Sequence, residues 1–390
     1  MLKSFKLDPS AFNIVICVFL GLLIGLSTAC FLFALDAIAN VQISLNSETP
    51  LHLLLLPLVV VIIDFVRRHT LYFPAGVAQL REDNSSAHWS GAMWPYHFLG
   101  TLASHLSGAS VGREGAVVLF SAALVRNLKL QWSAWGPVCA ASGFACITGQ
   151  LWVAPFFMSE MFGRTNWLQK VFVVLCSWVA LLVTDTMSVK HLFVDLDPDL
   201  LSVDIGFFTK LLGFFLLAAF FGYTMRLYKY LHSRCAGYFR NSGLWVRLSV
   251  AVVVALVLAL PQMRIYQSLG LAQLAGLELE SAQGLLHAVV KLFLTLLATT
   301  LGLAGGEFIP LVYSGAHLGS WFFQVLGIKA ILGAAMGAYL LFAAGTRFKW
   351  TSYVLLLSLL GLGWWFWAYF TVAVAIGFSG SRSLYKNSHF

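Results

Sequence analysis

Apolar positions dominate this chain in long blocks, and polar positions gather in the short stretches between them. Predominantly apolar runs cover 12–38, 51–66, 167–187, 205–227, 244–261, 285–304, 327–344 and 353–378. A bilayer-crossing helix needs about 20 such residues, so most of these runs read as spanning helices. Two further stretches, 97–127 and 133–162, are apolar but interrupted by Gly, Ser and Pro, and read as broken helices. Nowhere does a strand-like alternation of period two replace this pattern. The expectation is an all-α, polytopic membrane protein with no soluble domain.

Composition agrees with that pattern. Of 390 residues, 59% are hydrophobic and 10% charged, against roughly a quarter charged in soluble domains. Lys3 and Lys6 precede an apolar run too long for a cleavable signal, so the first helix is expected to stay. The net charge of +8 bears on orientation, not on nucleic acid. Arg67-Arg68-His69 and the stretch 226–247, with Arg226, Lys229, Arg234, Arg240 and Arg247, are basic and read as loops on one side. The stretch 188–204 is acidic, with Asp195, Asp197, Asp199 and Asp204. The expected N-terminus is cytoplasmic, on the side of Arg67 and Arg240. The six cysteines sit mostly within apolar runs and form no CxxC pair. Asp195-x-Asp197-x-Asp199 lacks the glycine and distal glutamate of a calcium loop, so no metal or cofactor is expected.

One motif occurs twice. Gly112-Arg113-Glu114-Gly115 and Gly305-Gly306-Glu307-Phe308-Ile309-Pro310 each place a glutamate at the opening of an apolar helix, 193 residues apart. Further on, Ala140-Ala141-Ser142-Gly143 is matched by Ala334-Ala335-Met336-Gly337, and Gly149 is set against Gly345. The chain therefore reads as two related halves, 1–199 and 200–390, which are expected to be inverted and to bring broken helices together at mid-membrane. The glycine-rich approach to each glutamate leaves first-turn amides unpaired at the positive end of a helix dipole. That is an anion site made without a fixed cation. One helix end stabilises an anion by about 0.3–1 kcal/mol. A charge at mid-membrane costs at least about 2.5 kcal/mol. Two ends must converge, and the repeat can supply them. Glu114 beside such an end can occupy the site itself, give way to an anion and take a proton when displaced.

These residues resemble the CLC family of chloride channels and anion/proton antiporters. Gly112 to Gly115 resembles the family's gating-glutamate motif, and Gly306 to Pro310 followed by Ser314-Gly315-Ala316-His317 resembles its second selectivity motif. Thr148-Gly149 through Glu160 resembles the helix pair between them, and Ser379 to Tyr385 resembles the segment bearing the central tyrosine. The fluoride/proton antiporter branch fits best, through Gly305-Gly306-Glu307 and Ser104-His105-Leu106. The resemblance implies a transporter, not an enzyme. Glu114 would be gate and proton carrier, and Gly112, Arg113, Gly115, Gly306, Glu307, Phe308, Ile309 and Tyr385 would line the anion path. The partners implied are fluoride ahead of chloride, protons and a second copy of the chain. The location implied is the bacterial inner membrane, with both termini cytoplasmic. Phe120, Phe157 and Phe308 are candidate ring edges for fluoride.

The chain departs from the branch at several positions. Ile309 stands where the branch has Thr, and Arg347-Phe348-Lys349 where the family has Asn-Thr-Pro. Ser358 replaces an acidic residue, Ala116 follows Gly115, and Ala75 to Gln79 does not spell the first selectivity motif. Three other readings fit parts of the sequence. A passive anion channel on the same fold is the main alternative, and a homologue that no longer transports is another. An intramembrane serine protease built on Gly377-Phe378-Ser379-Gly380 fails, because only His389 follows the serine.

Overall fold

The computed structural model describes residues 10–47, 50–69, 76–77, 80, 92–163, 165–189, 191, 206–270 and 283–381. Fourteen α-helices occur among them, with no strand. In chain order the first seven are α1 Ala11–Ser47, α2 Leu55–His69, α3 Met93–Leu106, α4 Glu114–Asn127, α5 Trp132–Thr148, α6 Val153–Phe162 and α7 Trp167–Thr186. The next seven are α8 Phe207–Asn241, α9 Leu244–Ala259, α10 Gly284–Thr300, α11 Phe308–Val325, α12 Ala330–Thr346, α13 Lys349–Leu360 and α14 Trp365–Phe378. Three of them, α1, α7 and α8, are individually long and apolar enough to cross a membrane. The rest are shorter, as expected of a fold that breaks its helices inside the apolar layer.

The same local geometry recurs about 194–198 residues apart. At the end of α3, Gly108 N–H donates to His105 O and Ala109 N–H to Ser104 O. At the end of α10, Gly302 N–H donates to Thr299 O and Leu303 N–H to Ala298 O. These are C-caps of one kind, each using a residue of positive φ. Positive φ recurs likewise at Lys129 and Gly327, at Gly149 and Arg347, and at Gly163 and Gly361. The counterpart of Gly149 is therefore Arg347, which takes the left-handed C-cap of α12, and not Gly345 inside that helix. Packing neighbours repeat as well. α1 lies on α7 as α8 lies on α14, and α4 lies on α5 as α11 lies on α12.

Two sequence expectations change. The helix beginning near 205 does not end at 227 but runs to Asn241, so Arg226, Lys229, Arg234 and Arg240 stand on α8 and not in a loop. Hydropathy falls there, but Lys, Arg, Leu and Tyr still allow helix, and only Ser242 and Gly243 separate α8 from α9. The run 353–378 is two helices, parted at Gly361 by its φ of +82°. The aspartates Asp195 to Asp204 fall outside the described residues.

Small residues set the closest packing. On α11 and α12, Gly315 faces Gly337 and Gly319 faces Gly333, and a β-carbon at any of the four would strike the other helix's carbonyl. Asp64 on α2 and Arg247 on α9 form an ion pair with both side chains about 4% exposed. It links the second helix of one series to the second helix of the other.

Candidate functional site

The two Gly-x-Glu turns meet. Gly112 N–H donates to Gly306 O at 2.5 Å, and Gly306 N–H donates to Gly112 O at 2.7 Å, the one isolated antiparallel bridge among the described residues. Neither position has room for a side chain: a β-carbon on Gly306 would lie 2.9 Å from Gly115 N, and one on Gly112 would lie 3.1 Å from Gly306 O. The bridge sets the starts of α4 and α11 against each other. The first intrahelical bonds come only at Val117 N–H to Arg113 O and Leu311 N–H to Glu307 O. Earlier amides of both first turns have no helical acceptor, and Pro310 has no N–H to satisfy.

Glu114 is 2% exposed. Its Oε2 lies beside Gly112, 3.2 Å from where a β-carbon on that glycine would stand. Arg113 Nε donates to Oε1 at 3.3 Å, while Oε2 has no hydrogen-bond partner. Tyr339 on α12, a residue the sequence did not single out, lies within electrostatic reach of this carboxylate. Val77 packs beside Gly115, so this residue comes to the turn although the motif around it is illegible in sequence.

Glu307 faces another way. Its Oε1 accepts from Tyr228 Oη at 3.0 Å and from Thr299 Oγ1 at 3.3 Å, with His232 Nε2 at 3.6 Å. Phe308 and Ile309, on the first turn of α11, are both buried. The Phe308 ring meets Phe342 edge-on at 4.7 Å and Phe144 at 5.5 Å. Phe144 stacks on Phe157 at 4.3 Å, and Phe157 meets Phe348 at 5.6 Å. Five rings from α5, α6, α11, α12 and the turn before α13 thus form one aromatic cluster beside the crossed turns. Phe120 belongs to a separate group with Phe31, Phe98 and Trp94. Tyr385 lies outside the described residues.

Three residues named as departures have structural partners. Arg347 donates to the Gly380 carbonyl, and Lys349 to the Tyr369 hydroxyl. The Ser358 hydroxyl meets Gln150 just before α6. On the opposite helix Glu160 accepts from the amides of Trp350 and Thr351 at 2.8 and 2.9 Å and from Thr351 Oγ1 at 2.7 Å, capping α13 from α6. Ser379 ends α14 with its hydroxyl on Ile376 O at 2.9 Å.

Helices broken inside an apolar layer, with two glutamate-bearing N-termini locked back to back, define a polytopic membrane protein of the transporter and channel type. Residues 73–380 match the family model described as voltage gated chloride channel, and the chain belongs to that family, the CLC proteins. Its structure is similar to that of a CLC-type fluoride/proton antiporter, with a TM-score of 0.84 at 20% identity over 97% of this chain and 98% of the other. It is also similar to a slow cyanobacterial Cl−/H+ antiporter, with a TM-score of 0.83 at 16% identity over 97% of each chain. A eukaryotic CLC transporter gives a TM-score of 0.72 at 16% identity, over 97% of this chain and 74% of that one. At such identities the likeness is one of fold. A search of curated protein sequences returned no match.

Proposed function

We propose that this chain exchanges a small halide, fluoride ahead of chloride, for protons, and that Glu114 is both the gate and the proton carrier. One observation carries the reading: a carboxylate 2% exposed at a helix start whose first amides have no helical acceptor, with one oxygen on Arg113 and the other, beside Gly112, unpartnered. Buried carboxylates are normally tied down on both oxygens. A half-held one can be displaced by an anion that takes over the same amides, and it can then carry a proton. The Gly112–Gly306 bridge supports the rest by keeping a second helix start beside the first.

In this reading Gly112, Arg113, Gly115, Gly306, Phe308 and Ile309 border the anion path from the two turns, Glu307 stands at its second half and Tyr385 at its centre. The recurring caps and packing pairs support two related halves, 1–199 and 200–390, inverted about the crossed turns. The protein is a homodimer of the bacterial inner membrane with its basic faces and both termini in the cytoplasm. Fluoride is favoured by Glu307 following two glycines and by the ring edges around Phe308. The test is efflux of fluoride and chloride, measured side by side from liposomes holding purified protein, with internal pH followed. Fluoride efflux with matching proton uptake is expected. Anion flux without protons would reduce the protein to a channel, and no flux of either would end the transport reading.

A further inference from the structure

Glu307 is the second carboxylate at the crossed turns, half-buried where Glu114 is buried, and the geometry gives it neighbours that Glu114 lacks. Tyr228 and His232 stand four residues apart on α8 and so share a face. Both reach the same oxygen, Oε1, at 3.0 and 3.6 Å, with Thr299 from α10 at 3.3 Å. The side chains of Glu307 and His232 are 12% and 15% exposed, against 3% for Glu114. α8 has 35 residues, a length of roughly 50 Å at 1.5 Å per residue, well beyond an apolar layer of about 30 Å. Its surplus falls at the basic end from Arg226 to Arg240, where Arg226, Arg234 and Arg240 are exposed, and His232 lies within it.

Lys229, Arg234 and Arg347, also in this region, are engaged elsewhere. Lys229 Nζ donates to Ala344 O at 3.0 Å, Arg234 lies over the Tyr230 ring at 5.3 Å, Arg347 donates to Gly380 O, and the Arg226 side chain runs past Gly380. Glu160, a second carboxylate that could have served, is fully used in capping α13. Imidazole is the side chain suited to taking up and releasing a proton near neutrality.

We propose that Glu307 and His232 form a proton hand-off between the crossed turns and the aqueous compartment at the basic end of α8. The proton on Glu307 passes to His232 Nε2, leaving a carboxylate and an imidazolium, and the imidazolium then releases a proton to water. The reverse sequence loads Glu307. At 3.6 Å the pair stands just beyond hydrogen-bond length, so a small side-chain rotation or one bridging water completes the transfer. The Tyr228 hydroxyl holds Oε1 on the α8 side while this occurs. The step rests on the exchange reading above, and the experiment separates the two.

Proton uptake and anion efflux are followed in liposomes for the wild type, H232Q, H232A and Y228F, each checked for an unchanged thermal midpoint in detergent. H232Q keeps a polar group of similar reach but cannot carry a proton. Its proton uptake is expected to fall about tenfold or more. H232A is expected to fail likewise and to recover when imidazole is added on the side of the basic end, which a merely structural histidine would not do. Y228F removes the hydroxyl that orients Oε1 and is expected to slow proton uptake by about threefold, less than H232Q, since Tyr228 orients but does not transfer. Wild-type proton uptake in H232Q, or a loss in H232A that imidazole does not restore, overturns the hand-off alone. A wild type that moves no protons overturns the exchange reading and the hand-off with it.

Discussion

Gly112 and Gly306 exchange both of their backbone hydrogen bonds, so a glycine of each turn is the anchor of the other. The contact spans 194 residues and closes only because both positions lack a β-carbon. Methylating Gly306 would press a β-carbon to 2.9 Å from Gly115 N, against backbone that cannot rotate away. Gly306→Ala is expected to lower stability by about 1–3 kcal/mol and to reduce anion flux more than a surface Gly→Ala such as Gly237→Ala. Thermal unfolding in detergent together with liposome efflux would read both, and an unchanged flux would show that the bridge does not shape the path.

Glu114 supplies the sharpest test of coupling. Gln keeps its shape and can still lie over the helix start, but it carries no proton. In Glu114→Gln, proton uptake should drop to background while some anion flux remains, now insensitive to a pH gradient. Proton uptake persisting at the wild-type rate would mean that another group carries the proton.

The buried pair Asp64–Arg247 predicts an asymmetry. Removing one partner leaves a charge in an apolar layer, at about 3–5 kcal/mol. Arg247→Leu or Asp64→Leu should therefore unfold at markedly lower temperature than wild type, while the double Leu variant should recover much of the loss. Additive losses in the double would show that the pair holds α2 to α9 by attraction that hydrophobic packing cannot replace.

The broad fold was legible because its causes are local. Long apolar runs give helices, and glycines before Glu114 and Glu307 give the broken turns. What stayed hidden depends on long-range contact or on helix that hydropathy does not mark. The bridge between Gly112 and Gly306 leaves no trace in either motif. Tyr228 and His232 carry no signal in hydropathy, because apolar residues thin out after 227 although helix formers continue to Asn241. Their spacing of four would have flagged a shared face had the helix been carried on. Gly149 was paired with Gly345 because a glycine was sought, whereas the chain uses Arg347 in the same left-handed position.

Arg347 makes that point testable. Its φ of +64° suits glycine better than any L-residue, and its guanidinium reaches the Gly380 carbonyl. Arg347→Gly relieves the strain but loses that bond, two effects of about 1 kcal/mol each with opposite sign. Its stability should stay within about 1 kcal/mol of wild type. Arg347→Val loses the bond and adds strain, and should fall about 1–3 kcal/mol lower. Equal melting of the two variants would mean that the left-handed cap contributes nothing measurable.

Ile309 bears on which halide is moved. It lies on the first turn of α11, 1% exposed, directly after Phe308 and its cluster of rings. An isoleucine there offers an anion no hydrogen bond. Fluoride, being small and strongly hydrated, loses more than chloride when water is stripped away, so it gains more from an added donor. Thr has nearly the same branching and replaces one methyl with a hydroxyl. A net hydrogen bond of about 1.4 kcal/mol, within the usual range to a charged acceptor, is a tenfold change in an equilibrium. Ile309→Thr should therefore raise the fluoride-to-chloride flux ratio by up to about tenfold, with proton coupling intact and stability lowered by no more than about 1–3 kcal/mol for the buried hydroxyl. The comparison is made within one liposome preparation, so protein amount cancels in the ratio. A ratio that does not move would mean that the side chain of residue 309 is turned away from the ion, and that selectivity is set by backbone amides and ring edges alone.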